Sequence, residues 1–209
     1  MARDSTRERI LAAALAEFDE KGYEAATVAA ICARAGASNG SFFHAFRSKE
    51  DVAGAVFLSA LGAYHEALTA AAAKNASAAG GVAALVAAHV RWVTKNRPKS
   101  RFMFLHAPNA GAPDFRAKQA AANERFRARL SAWYGPNVER GALRAVPPEV
   151  LISQIIGPAQ MFCRAWLSGR SPERPDAHLP SLIACAIRAV VSAGGTAGAR
   201  TRRATSAPP

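Results

Sequence analysis

The sequence predicts an all-α chain of about nine helices: three short ones forming an N-terminal head, a long fourth helix, and a helical bundle behind it. Three observations carry this. Apolar residues recur at i, i+3, i+4 and i+7 spacing through most of the 209 residues. No strand-like alternation and no internal repeat stands out. Gly, Pro and Ser or Thr punctuation falls where helix ends need it.

The first helix is expected over 5 to 21. Ser5 and Glu8 make a capping box, and Ile10, Leu11, Ala14, Leu15 and Phe18 form one apolar stripe. Gly22 ends it and Tyr23 packs at the turn. Thr27 then sits at an N-cap, followed by Val28, Ile31 and Ala35 at helical spacing, with Gly36 placed as a left-handed C-terminal residue. Ser38 caps the third helix, where Phe42 and Phe46 share a buried side. Asn39, Gly40, Phe43, His44 and Arg47 fall on the opposite side. Two short helices joined by a tight glycine turn are the helix-turn-helix layout that sets one helix into a DNA groove. No acidic residue occurs between Ala25 and Lys49, whereas Arg34, Arg47 and Lys49 do, so the local field suits phosphate.

A fourth helix is expected from the Ser48 and Asp51 capping box to about Ala73, roughly 37 Å long at 1.5 Å per residue, long enough to join two bodies. After a break at Gly80 and Gly81, Val82 to Val93 repeat with helical period, and Pro98 closes that helix. Arg101 to His106 is a short apolar segment ended by Pro108. A long helix from Asp114 is stopped by Gly135 and Pro136. The next runs from Pro147 and Pro148 to Ser168, with Gly157 and Pro158 midway as a kink. The last, from about Ala177 to Ala193, is capped by Gly194 and Gly195. The domains are thus expected at 1–50 and 51–193, with 194–209 a disordered tail.

Composition narrows the function classes. Half the residues are apolar, which excludes disorder for most of the chain. Cys32, Cys163 and Cys185 are odd in number and far apart, fitting a reducing compartment better than a disulfide framework or a zinc site. Cys32 falls beside Ile31 and reads as a small core residue. No targeting segment and no membrane span is expected, so the chain is assigned to the cytoplasm. The formal charge of +12 is unevenly spread. Residues 1–51 hold seven Lys and Arg against eight Asp and Glu, so the basic excess lies outside the head and does not locate a DNA site. There are no paired carboxylates, no metal spacing and no nucleophile elbow, so neither an enzyme nor a cofactor is expected.

The stretch from about Arg7 to Val52, with GYEAATVAAICARAGAS, GSFF and FRSKEDV in that order, resembles the DNA-binding domain of the tetracycline-repressor (TetR) family of bacterial regulators. It covers about a quarter of the chain. The resemblance implies a homodimer on a palindromic operator in double-stranded DNA, and a helical domain that binds a small-molecule effector and dimerises. It also implies DNA contacts at Thr27, Ser38, Asn39, Gly40, Phe43, His44 and Lys49, to which the exposed pattern adds Arg47. Thr27 and Lys49 would hold phosphates, Asn39 an adenine edge, and Phe43 a thymine methyl. The sequence departs from the family at Phe43, usually Tyr, and Ala45, usually His; both lose a polar group.

The last two helices, with small residues Ala184, Ala186 and Ala189, are the candidates for a symmetric four-helix interface. Trp92, Phe102, Phe104, His106, Phe115, Met161, Phe162 and Trp166 are candidates for an effector cavity, being large and near Pro or Gly breaks. Their alternative is plain core. His89 and His106 read as satisfied core histidines. The run Arg91, Lys95, Arg97, Lys99 and Arg101 either favours an acidic effector or is a solvated surface. The expected function is a ligand-responsive, sequence-specific transcriptional regulator, a repressor released by a small molecule. Its alternative is an all-helical small-molecule or acyl-chain binding protein with a degenerate head.

Overall fold

A computed structural model of the chain describes residues 5–75, 77–106 and 113–193. Among these the regular structure is helical: α1 Thr6–Lys21, α2 Val28–Ala35, α3 Asn39–Ala45, α4 Lys49–Ala73, α5 Ala78–Lys95, α6 Arg97–Leu105, α7 Pro113–Glu139, α8 Pro148–Leu167 and α9 Leu179–Val190, with a 3-10 turn at Pro175–His178 before α9. The expected tail at 194–209 and the loop around Pro108 lie outside the described residues.

Local chemistry sets the ends of the first four helices. The Ser5 hydroxyl accepts from the Glu8 amide at 3.2 Å while the Glu8 carboxylate accepts from the Ser5 amide at 2.8 Å, closing the capping box. Gly22 ends α1 at φ +81°, and the Tyr23 ring lies 5.4 Å from that of Phe18. Ser48 caps α4 through the Asp51 amide at 3.2 Å. Helices α1 to α3 and the start of α4 share a core of Ile10, Ala14, Phe18, Ile31, Phe42, Phe46 and Val52. Farther along, α4 packs on α5 and α7, while α5 packs on α8 and α9. Helix α6 lies between head and body: Phe102 stacks on Phe18 with centroids 5.2 Å apart, and Arg101 pairs with Asp19 at 3.2 Å.

Three boundaries differ from the sequence expectation. Gly80 and Gly81 lie inside α5, which Ser77 caps through the Gly80 amide; a methyl at Gly81 would fall 2.4 Å from the Trp133 ring, so glycine there admits α7 rather than breaking α5. Pro98 opens α6 instead of closing α5. Helix α7 continues through Gly135 and Pro136, because Asn137 holds the next turn: its side-chain amide donates to the Trp133 carbonyl at 2.7 Å and its own carbonyl accepts from Ala142 and Leu143. The stop is Gly141, at φ +71°. The end of α9 is tied down by an isolated antiparallel bridge between Leu143 and Val191. No helix of the described residues is long and apolar enough to cross a membrane.

Candidate nucleic-acid interface

The α2-turn-α3 unit is built by its caps. The Thr27 hydroxyl accepts from the Ala30 amide at 3.2 Å, Gly36 turns the chain at φ +58°, and the Ser38 hydroxyl accepts from the Ser41 amide at 3.1 Å. Phe42 is fully buried and Phe46 nearly so, which fixes the rotation of α3 about its axis. The other side of α3 is then exposed: Asn39, Gly40 and His44 face solvent, Phe43 leaves 56% of its surface open with its ring edge-on to Phe42 at 5.3 Å, and Arg47 is exposed just past the extended Phe46 that ends the helix, not on the helix face the spacing predicted. A large aromatic presented this way is exposed against its hydration preference. A methyl at Gly40 would meet only the Ser38 hydroxyl, at an ordinary 3.7 Å, so nothing inside the chain requires glycine there.

The cations are arranged differently from the sequence expectation. Lys49 donates to the carbonyls of Tyr23, Glu24 and Ala26 at 3.0, 3.3 and 3.1 Å and sits 4.6 Å from the Tyr23 ring centroid. All three of its donors are directed at carbonyls within the chain and none at the phosphate the sequence expectation gave it. Arg34 is held by Glu17 at 2.8 Å and by Glu20, so it adds no free positive field. Hydrogen bonds from Lys21 and then Arg34 keep the Glu17 carboxyl below the usual range. Arg47 stays exposed, its Nε 3.6 Å from Asp51.

The expected effector residues do not converge. Phe102 packs on the head, Phe115 lies edge-on to Phe57 at 5.5 Å, and Trp92 packs against Tyr64 at 5.1 Å, all three buried. Phe104 is half-buried against Tyr64. Met161 is 66% exposed and His106 is also at the surface, so neither lines an interior cavity and His106 is not a core histidine. Phe162 faces His178 at 5.0 Å, and Trp166 lies under the guanidinium groups of Arg97 and Arg174. His89 is buried as expected, but only half satisfied: Nδ1 meets the Tyr64 hydroxyl at 2.9 Å while Nε2 has no partner. Burial pulls its pKa down to about 4.

A cavity does lie between α4, α7 and the start of α8, and the sequence reading missed it. About 250 Å³ in volume, it is walled by Phe126, Leu130, Leu151 and Ile152, with His65 stacked on Phe126 at 4.2 Å and 14°. Burial lowers the His65 pKa to about 4, so this ring is a neutral aromatic wall. Two of its polar lining groups are engaged internally: Arg127 bonds Glu124 at 2.7 Å and the Tyr134 hydroxyl donates to the Val146 carbonyl. In sequence Phe126 and His65 look like ordinary amphipathic positions, and only the α4 to α7 packing brings them face to face. Among the described residues no group of three or more His, Cys, Asp and Glu is placed to hold a metal ion.

Residues 10–56 match the family model of bacterial regulatory proteins, tetR family. No curated protein matches the chain. Among solved structures, the TetR family transcriptional regulator PfmR from Thermus thermophilus is 27% identical, with 89% of this chain and 97% of that chain covered and a TM-score of 0.67. The fatty acid degradation regulator FadR from Bacillus halodurans is 17% identical over 97% of this chain and 100% of that one, with a TM-score of 0.75. FadR from Bacillus subtilis, solved in complex with stearoyl-CoA, is 18% identical over 86% and 96%, with a TM-score of 0.73. About nine-tenths of the chain thus shares the fold of a solved TetR family transcriptional regulator, and its N-terminal residues 10–56 match the family model of bacterial regulatory proteins, tetR family.

Proposed function

We propose that the chain is a homodimeric, ligand-responsive, sequence-specific DNA-binding regulator that represses by occupying its operator and is released by a small molecule. The observation that carries this is the outward face of α3, where Asn39, Gly40, Phe43 and His44 stand exposed on a helix whose rotation Phe42 and Phe46 fix, with Arg47 exposed just past its end. Thr27 and Ser38, both exposed caps, flank that face and supply hydroxyls to phosphates. Residues 1–50 form the reading head and 51–193 the effector and dimerisation domain in this scheme.

A single head covers too little DNA to select one genomic site, so two heads about 34 to 36 Å apart are required to read successive major grooves. Helices α8 and α9 supply the pairing surface in this reading, since Met161 and Val150 are open and Leu182, Ile183 and Ile187 are only partly covered. Ala186 is excluded from it, being buried within the chain. The effector site is the α4, α7 and α8 cavity. Its 250 Å³ lies at the small end of ligand pockets, so the effector is compact and largely apolar, with a flat ring suited to the His65 and Phe126 wall.

Selection of duplexes from a random pool by the full chain, followed by titration in sedimentation, tests the reading. A palindromic consensus bound by two chains supports it; enrichment of no sequence refutes it. Ser131→Trp, which plugs the cavity from its rim, is expected to keep the consensus and lose release by whichever small aromatic compound releases the wild type.

A further inference from the structure

The head has no basic excess, yet in the proposed function it must meet a polyanion, and its cations divide sharply once their partners are known. Lys21 pairs with Glu17 at 2.8 Å, Arg34 with Glu17 and Glu20, and Arg47 more loosely with Asp51, while Lys49 is spent on carbonyls. Arg9 leans on the Thr6 hydroxyl of its own helix at 3.4 Å. Arg7 is different. Among the described residues no acid pairs with it. Its guanidinium carbon lies 4.9 Å from the centroid of the Phe46 ring, a cation-π contact that holds the charge in place. Beside it an open depression between α1 and α3 is lined by Thr6, Arg7, Gly40, Ser41, His44 and Ala45, so it shares Gly40 and His44 with the proposed reading face.

We infer that Arg7 is a phosphate clamp of the head: propped on Phe46 at the edge of α3, its guanidinium takes a backbone phosphodiester of the duplex whose groove α3 enters. This rests on the DNA-binding reading above and replaces the phosphate contact expected of Lys49. A guanidinium on the flanking helix is placed to fix register rather than to read bases. The planar fork suits two phosphate oxygens while the opposite face stays on the ring. The rival occupant is internal: Asp114, which with Arg7 and Lys118 lines the cleft between head and body.

The test is fluorescence anisotropy of the full chain on a mixed-sequence duplex and on the selected duplex, from 50 to 200 mM salt, for wild type, Arg7→Ala, Arg7→Lys and Asp114→Asn. Each phosphate contact adds about 0.9 to the salt slope, so losing one per head in a dimer lowers it by about 1.8 and shrinks the salt-induced weakening about 12-fold. Arg7→Ala is expected to show that loss equally on both duplexes, with Arg7→Lys retaining the slope. An unchanged slope in Arg7→Ala overturns the inference, as does a loss confined to the selected duplex, which means base reading. A melting temperature that falls equally in Arg7→Ala and Asp114→Asn with no slope change assigns Arg7 to the cleft instead. Should Arg7→Ala fold poorly, Arg7→Gln carries the same comparison with the side-chain stem kept. Wild type that prefers no sequence sinks the regulatory reading while leaving the slope comparison decisive for Arg7; wild type that binds neither duplex sinks both.

Discussion

Phe42 and Phe43 are adjacent, identical in chemistry and opposite in environment, which makes them a matched pair for separating reading from folding. Phe42 is fully buried, and its truncation to Ala is expected to cost about 3–5 kcal/mol through lost transfer energy and a cavity. Phe43 has 56% of its surface in water and one edge contact to Phe42. Less than half of a burial worth about 1.5–3 kcal/mol is at stake, so Phe43→Ala should cost only about 1 kcal/mol. At this chain length that separates the two melting temperatures clearly, at about 2–4 °C per kcal/mol. On DNA the order reverses. An apolar base contact is worth about 1–3 kcal/mol, and two heads double it, so folded Phe43→Ala should bind the selected duplex about 30-fold to 10⁴-fold more weakly. Differential scanning calorimetry and anisotropy on the same preparations measure both. Phe43→Ala that binds the selected duplex with wild-type affinity refutes the assignment of α3's outer face.

Three further outcomes follow from groups inside the chain. His89 has a folded pKa near 4 against 6.5 for the free side chain, so its contribution is complete above pH 6.5 and is lost as pH falls from 6.5 toward 4. Between pH 7.5 and 5.0 that amounts to about 2 kcal/mol in urea unfolding, a loss His89→Gln should not show; half-buried His65 titrates in the same window, so the difference between the two proteins is the readout. Lys49→Met keeps the stem but strips the ammonium from three carbonyls, and should lower stability by about 1–3 kcal/mol with no change in salt slope. A slope reduced as in Arg7→Ala restores Lys49 to the phosphate contacts. Gly81→Ala drives a methyl into the Trp133 ring and should cost about 1–3 kcal/mol or more, whereas Gly62→Ala, with nothing within 4 Å, should stabilise α4 by up to about 1 kcal/mol; thermal melts of both decide it.

What the sequence revealed depended on how local the cause was. The caps at Ser5, Thr27, Ser38 and Ser48 and the turn at Gly36 are made by residues within four positions of one another, and each was legible. The rotation of α3 followed from the spacing of Phe42 and Phe46. Gly80–Gly81 and Gly135–Pro136 misled because their reasons are distant or compensated: Trp133 comes from 52 residues beyond Gly81, and Asn137 repairs the turn after Pro136. Lys49 was legible as a cation but not as a clamp, since its acceptors lie on carbonyls about two dozen residues away. The effector residues are not gathered into one cavity, for a different reason. A buried ring in a core and a ring on a cavity wall have the same pattern, so Phe102 could not be told from Phe126 before the helices were packed.

The same packing gives α4 its two duties. Its first residue, Lys49, holds the carbonyls at the end of the α1 to α2 connection, and sixteen residues later His65 forms the cavity wall, about 24 Å along the axis. Glu66, one position on, is paired with Arg129 of α7. The proposed effector, entering between His65 and α7, would therefore bear on the helix that carries the head. The head has a second attachment to the body through α6, where Phe102 stacks on Phe18 and Arg101 pairs with Asp19. A helix pushed at one point while its far end is held at another pivots rather than slides. In the proposed dimer two heads would have to match grooves spaced at about 34 to 36 Å, so a pivot of either α4 would alter a distance that the duplex fixes. Under the proposed function, release would then require no change inside the reading face: Phe43, Asn39 and His44 would keep their geometry on α3 and lose only their common register.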